Sequence, residues 1–312
     1  LAALVVVGLA GSAVAMAGPL GFVGLVVPHI VRMRTGAEYR RILPYCLIGG
    51  AVLTLASDTL PRAFLGEGCA RRYYPRLSGR AVLYLACAKP RCVAVMIRLF
   101  LVLLALLAVF FVLALASGDQ RLPFAVVLGA LLGAEETPGH AQTIVTGLRL
   151  PRATLAILVG AALGVAGAIC QAVLRNPLAE PGLLGINAGA ALAAMMIIVQ
   201  AGMVPESLLP LATFAGAVTM TAVIFGFAWR GGTTSLRIIL IGVGLSAMAG
   251  AGASFIATFG EIALVQRAMV WLAGSLQDSR WIKVQTLLIW ASPVFLMIWM
   301  AARELDLIAL GD

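Results

Sequence analysis

The sequence predicts an all-α fold, a polytopic bundle of transmembrane helices, and three observations carry that expectation. First, 62% of the 312 residues are hydrophobic and only 11% are charged, too little polar surface to keep a domain of this size dissolved. Second, apolar runs of about 20 residues recur between short polar breaks, the length a helix needs to cross a hydrocarbon layer of roughly 30 Å. Third, stretches such as 155–170 are apolar on every face, whereas a membrane barrel alternates apolar and polar residues over about ten positions. A barrel is therefore excluded.

The elements follow in chain order. Residues 1–17 read as the end of one span. The opening at Leu1, within an apolar run and without a basic leader, reads as cut from something longer. Residues 18–34, GPLGFVGLVVPHIVRMR, are apolar but interrupted by Gly and Pro, so a continuous helix is not expected. A polar turn with Arg34, Glu38, Arg40 and Arg41 precedes a span over about 42–60, closed by Pro61 and Arg62. From Gly66 to Val95 the character changes: this stretch holds three of the five cysteines, three of the five tyrosines and six basic residues. No helical or strand period runs through it, and it reads either as a basic cytoplasmic linker or as a frame-slipped stretch. A fresh pattern starts at Met96, with Arg98 ahead of an apolar run to about Ser117. Residues 118–147 read as a mostly polar outer loop with one apolar patch, and further spans are expected at about 150–173, 182–201, 207–229, 236–258 and 282–302. The piece 262–273 is too short to cross and reads as a partial helix.

Charge and cysteine usage narrow the function. The formal charge of +9 comes mostly from single basic residues at the ends of apolar runs, the pattern of positive-inside topology and not of a nucleic-acid surface. Alternating spans put Arg98, Arg175, Arg230, Arg237 and Arg303 on one side, taken as cytoplasmic, and leave Arg149 and Arg152 outside. Cys46, Cys69, Cys87, Cys92 and Cys170 form no CxxC, and His29 and His140 are the only histidines. Neither a metal site nor a disulfide framework is expected. His29 and Asp58 lie near span ends, where water or a neighbouring helix satisfies them, and two isolated groups do not make a proton relay.

Small residues at Gly160, Gly164 and Gly167, and again at Gly8 and Gly11, have the spacing that lets helix backbones approach closely. The segment RNPLAEPGLLG, 175–185, places Asn176, Pro177, Glu180, Pro181 and Gly182 in a tight, rigid loop between spans, with Glu180 at the start of the next helix, where a carboxylate suits the positive dipole end.

The stretch GLRLPRATLAILVGAALGVAGAICQAVLRNPLAEPGLLGINAGA, 147–190, is similar to the second and third spans of the FecCD family of permeases, which serve cobalamin, haem and ferric-siderophore import. RLPR, the GAAL run, Gln171, NPLAEPGLLG, Asn187 and Gly189 stand in family order. The resemblance continues through GTTSLRIILIGVGL and MVWLAGSL to ELDLIALGD. Residues 1–65 resemble the family's other end, in GPLGFVGLVVPHIVRM and ASDTLPR, so the late block precedes the early one. The expected organisation is therefore permuted and incomplete: 1–66 as late spans of an upstream unit, 67–95 as an aberrant linker, and 96–312 as early spans of a second unit.

The resemblance implies a cobalamin-importer-like permease fold and a set of roles. A cytoplasmic ATP-binding subunit, an outer substrate-binding protein and a second permease copy or half are the implied partners, with membrane lipid around them and no nucleic acid. Arg149, Arg152 and Arg62 match positions implied to dock carboxylates of the binding protein, for which the guanidinium fork is suited; the plainer alternative is contact with lipid phosphate. Leu307, Ala309, Leu310 and Gly311 fall at the beginning of the element implied to couple to the ATPase, and coupling is expected to be incomplete because the sequence stops inside it. Gly160, Gly164, Gly167, Gln171 and Asn187 are implied to serve helix packing and the pathway. No GxxxxGK[ST] phosphate loop occurs, so no enzymatic activity, cofactor or metal is expected of this chain. A secondary transporter, with the broken stretch 18–28 as its midplane site, and a non-functional product of a damaged reading frame are the competing readings.

Overall fold

A computed structural model describes residues 2–36, 38–65, 93–118, 120–134, 138–200, 208–229, 234–276 and 278–310, and the side chains among these apart from 65, 93–95 and 299–310. The regular structure in these residues is entirely helical. Six of the described helices are long and apolar enough to cross a membrane.

The first block contributes α1 (Ala2–Ala17), α2 (Val23–Thr35) and α3 (Tyr39–Leu65). The chain breaks between α1 and α2 only over residues 18–22, where Gly18 has φ 74° and Phe22 φ 68°; the rest of the stretch 18–34 departs from the expected interruption, since α2 runs unbroken through Pro28. Gly18 is also pinned, because a Cβ there would lie 2.5 Å from the Trp271 carbonyl. Helix α3 runs past Pro61, the expected end. Its last turn is tied back by Arg62, whose Nε donates to the Asp58 carbonyl at 3.0 Å.

The second block opens with α4 (Val93–Ala116) and a short α5 (Phe124–Leu132). The long α6 spans Gly139–Val173. Here the expected outer loop 118–147 is corrected: α5 and the first turns of α6 occupy it. The polar residues there do not prevent helix, because Thr143 and Thr146 donate their hydroxyls to carbonyls one turn back, at 3.0 and 2.8 Å. Residues Thr143–Arg149 form a π turn, the wider helical winding in which the carbonyl ladder shifts by one residue.

A 3-10 turn at Pro181–Leu184 leads into α7, Ile186–Gln200. Then come α8 (Leu208–Ala228), α9 (Ser235–Phe259), the short α10 (Ile262–Leu272) and α11 (Trp281–Leu310). Residues 66–92, where the aberrant linker falls, lie outside the described residues.

Helix α6 is the hub. It packs on α1, α2, α3 and α11, and its interior is lined by small residues. The α6–α3 contact is made backbone to backbone: a Cβ on Gly160 would fall 2.2 Å from the Gly50 carbonyl oxygen, and one on Gly164 2.3 Å from that of Cys46. Gly167 meets Gly24 of α2 in the same way, at 2.0 Å. In a lipid solvent no hydrophobic force drives helix against helix, so this close van der Waals approach carries the packing. On the other flank Gly189 of α7 sits 2.3 Å, by the same measure, from the Gly216 carbonyl of α8.

Two contacts fix the direction of the first long helices. At the start of both α3 and α4, the Tyr45 hydroxyl donates to the Met96 carbonyl at 2.9 Å. At the other end, the carbonyls that close α4 and Asp58 near the close of α3 meet arginines of one turn of α6. Helices α3 and α4 therefore run parallel, and Leu65 and Val93 stand at opposite ends of the bundle.

Candidate functional site

The chemistry of the described residues concentrates at the end of the bundle where α3 finishes and α6 begins. Asp58 is 2% exposed and Arg62 5% exposed. They sit one helical turn apart, and Arg62 Nη2 pairs with Asp58 Oδ2 at 2.6 Å. From α6, 94 residues further along the chain, Arg152 brings its fork to the same carboxylate: Nη2 to Oδ1 at 2.7 Å and Nε to both oxygens at 3.1 Å. One carboxylate thus holds two guanidinium groups across the interface between the two blocks. The cluster keeps a net positive charge in a nearly water-free place, so the pairing geometry decides whether it is tolerable.

Arg149, one turn before Arg152 and 8% exposed, does something different. Its Nη1 donates to the carbonyls of Leu115 and Ala116 at 2.7 and 3.0 Å, and its Nη2 to that of Gln120. These are orphan carbonyls at the close of α4, where the helix dipole also favours a cation. Gly118 makes room for it, since a Cβ there would lie 2.8 Å from Nη2. All three arginines singled out in the sequence therefore gather at one end. They are engaged within the chain, and Arg152 keeps the edge nearest water, with 15% of its side chain exposed against 3% for Arg62.

Asp58 is the residue that sequence reasoning set aside. Its i,i+4 spacing to Arg62 was readable, but its second partner on α6 was not.

The opposite end carries the 175–185 loop. Arg175 takes a left-handed φ of 46°, and the Asn176 side-chain oxygen accepts from the Leu178 N–H at 2.9 Å. Glu180 precedes a four-residue 3-10 turn, and its side chain makes no capping bond. It lies instead near Gly182 and Asn187, whose Oε1 and Nδ2 would be 3.3 and 3.2 Å from a Cβ on Gly182. Gln171 is 1% exposed; its Nε2 donates to the Leu25 carbonyl at 3.2 Å, while Oε1 is buried without a hydrogen-bond partner. Leu307, Ala309 and Leu310 end α11, and Gly311 lies outside the described residues. Among the described residues no group of three His, Cys, Asp or Glu side chains is placed to hold a metal ion.

Comparison with known proteins agrees with this architecture. The chain is similar to the achromobactin transport system permease CbrC of Dickeya dadantii (strain 3937), with 38% identity over 216 residues, 69% of this chain and 61% of that protein. It is 33% identical to the ferric enterobactin transport system permease FepG of Escherichia coli (strain K12) over 202 residues, 64% of this chain and 59% of the relative. It is 35% identical to the Fe(3+)-citrate import system permease YfmE of Bacillus subtilis (strain 168) over 214 residues, 68% and 62% respectively. The chain thus spans about three fifths of the length of the curated relatives it matches. The FecCD transport family matches residues 1–68 and 106–312, nearly the whole sequence and both blocks of the bundle, and the chain belongs to that family.

Proposed function

We propose that this multi-pass membrane chain is a permease subunit of an ABC importer, one that moves a ferric siderophore or a related metal chelate across the bacterial cytoplasmic membrane. The observation that supports this most strongly is the family match over both blocks, joined to a bundle in which those blocks share one buried charge cluster. Relatives named for achromobactin, ferric enterobactin, ferric citrate and hemin transport agree on the chemical class, a chelated metal passed without bond making or breaking.

The energy source in this reading is a separate cytoplasmic ATPase, contacted through Leu307, Ala309, Leu310 and Gly311. A substrate-binding protein docks at the opposite end, on the surface built around Arg62, Arg149 and Arg152, with Arg152 as the contact nearest water. A second permease copy or half completes the assembly. Gly160, Gly164 and Gly167 act as packing positions, and Gln171 and Asn187 as polar positions along the pathway. The discriminating experiment is uptake of radiolabelled ferric chelate by cells carrying the chain with its neighbouring ATPase and binding-protein genes. Vanadate abolishes uptake and a protonophore does not; the reverse pattern makes the chain a secondary transporter.

The order of the blocks belongs to the same proposal. Residues 1–66 are read as late spans of one unit, 67–95 as frame-slipped, and 96–312 as early spans of a second. Support comes from the placement of Leu65 and Val93 at opposite ends of the bundle, while the longest apolar run between them is the eight residues 81–88, amid six basic residues. A membrane-spanning helix needs about 20 apolar residues. Resequencing the coding DNA between Leu65 and Met96 tests this: an apolar span in a neighbouring frame supports it, and a confirmed 67–95 reading rejects it.

A further inference from the structure

The end of the bundle opposite Arg149 and Arg152 carries a cleft of about 340 Å³. Pro44 and Leu47 of α3 line one side, Phe295 and Ile298 of α11 the other, and Val165 of α6 the floor. Leu47 is 38% exposed, so the cleft is open along the flank of the bundle. Its walls are set in advance. Phe100 of α4 lines it too, with its ring edge-on to that of Tyr45 at 5.7 Å between centroids, and the Tyr45 hydroxyl ties the start of α4 to α3. Val165 lies eight residues before Val173, the last of α6, which places it about 12 Å along the helix from that end. The cleft therefore reaches well into the apolar layer. Arg40, exposed and in the first turn of α3, lines it at the end nearest water.

We propose that this cleft holds one membrane phospholipid, with an acyl chain laid between α3 and α11 and the phosphate on Arg40. The proposal stands on the membrane-spanning bundle and is independent of the import reading. An apolar cleft does not hold ordered water, and left unfilled it forfeits dispersion contacts on every wall. Hydrocarbon is the solvent at its lip. Helices α3 and α11 also touch each other, so the cleft is a groove between packed helices: an acyl chain enters it, whereas another helix would lie across it. Arg40 suits the other end of the same molecule. An arginine at a span end lays its stem along apolar surface and carries its fork to the headgroup level. That fork has five N–H donors, so it takes a phosphate oxygen alongside any other bond it keeps. Basic clefts between helices on the cytoplasmic side, where this end is read to lie, are the kind that receive lipid headgroups.

The test is titration of the delipidated full chain, in nonionic detergent, with dioleoylphosphatidylglycerol, read by native mass spectrometry, with dioleoylglycerol as the arm that lacks the phosphate. Saturable retention of one phospholipid per chain is expected, and none of the diacylglycerol. Affinity should fall about tenfold in Arg40→Gln, the loss of one charge-assisted contact, and the charge-retaining Arg40→Lys should keep it. Leu47→Trp, which crowds the lip of the cleft, should weaken retention by a similar factor through the acyl chain. Both positions are exposed, so neither change threatens the fold. Arg175→Gln, on the 175–185 loop, should leave retention unchanged, which separates this site from general attraction between cations and lipid. Unchanged affinity in Arg40→Gln or in Leu47→Trp, equal affinity for the diacylglycerol, or retention that never saturates overturns the proposal. A dimer of the chain that excludes the lipid also overturns it, by assigning the groove to a second copy. None of these outcomes alters the vanadate test of import.

Discussion

A single methyl group at Gly160 should separate the two blocks. A Cβ built there would lie 2.2 Å from the Gly50 carbonyl oxygen and 2.6 Å from the Thr54 hydroxyl, where ordinary contact begins at 3.4 Å. The obstacle is helix backbone on one side and a buried threonine, 2% exposed, on the other, so no flexible side-chain end swings away. Helix α3 has to move off α6 by about an ångström, and overpacking of this kind costs typically 1–3 kcal/mol. Because the same face carries the Asp58–Arg152 pair, the displacement also loosens a charge-assisted contact, and the upper part of that range is expected for Gly160→Ala. The assay is unfolding in detergent micelles, followed by accessibility of the buried Cys46 to a thiol reagent, with Gly226→Ala as reference. A Cβ at Gly226 meets nothing within 4 Å, and alanine favours helix over glycine by about 1 kcal/mol, so that variant should be neutral or stabilised. Equal behaviour of the two variants would refute the close packing of α3 on α6.

Three further outcomes follow from the same structure. Gly118→Ala should release the close of α4, because its Cβ would crowd Arg149 Nη2 at 2.8 Å; hydrogen exchange at the last turn of α4 should rise while the start of α4 stays protected. Replacing the whole charge cluster with apolar residues, as Asp58→Leu, Arg62→Met and Arg152→Met together, should leave stability within about 1–2 kcal/mol of the parent or above it, since well-packed apolar groups often match buried ion pairs; loss of the binding-protein interaction in that folded variant, read by co-purification, would separate docking from stability. Thr234→Ala should cost about 0.5 kcal/mol of local helix stability, at the low end for an N-cap, because its hydroxyl accepts the Arg237 N–H at a long 3.4 Å; exchange at the first turn of α9 reports it.

Much of this architecture was legible because lipid imposes a simple length rule. The apolar run after Arg98, the 150–173 run and the spans at about 207–229 and 236–258 were visible as uninterrupted hydrophobicity, and each falls on a helix. The misread stretch, 118–147, shows where the rule fails. Gly139, His140, Gln142, Thr143 and Gly147 look like a loop by composition, yet they extend α6, because threonine hydroxyls bond their own helix and the π turn absorbs the irregularity. The same limit applied to the site. Glycine spacing announced that Gly160, Gly164 and Gly167 pack against something, but only the fold says that Gly50, Cys46 and Gly24 are their partners. Arg149 and Arg152 were visible as misplaced charge, and Arg62 through the family resemblance. Asp58, which joins two of them, was not, because a single carboxylate at a span end carries no local signal of a partner 94 residues away.

That long-range pair offers the most direct test of the account. A double-mutant cycle of Asp58→Asn and Arg152→Gln, with unfolding free energies measured on the full chain in nanodiscs, isolates the energy between the blocks. Close packing of the blocks in one bundle predicts a coupling of about 1.5 kcal/mol or more, the range for hydrogen bonds to charged groups. Additive single effects, with coupling near zero, would mean that residues 1–65 do not dock on α6, and the assembly described here would be contradicted.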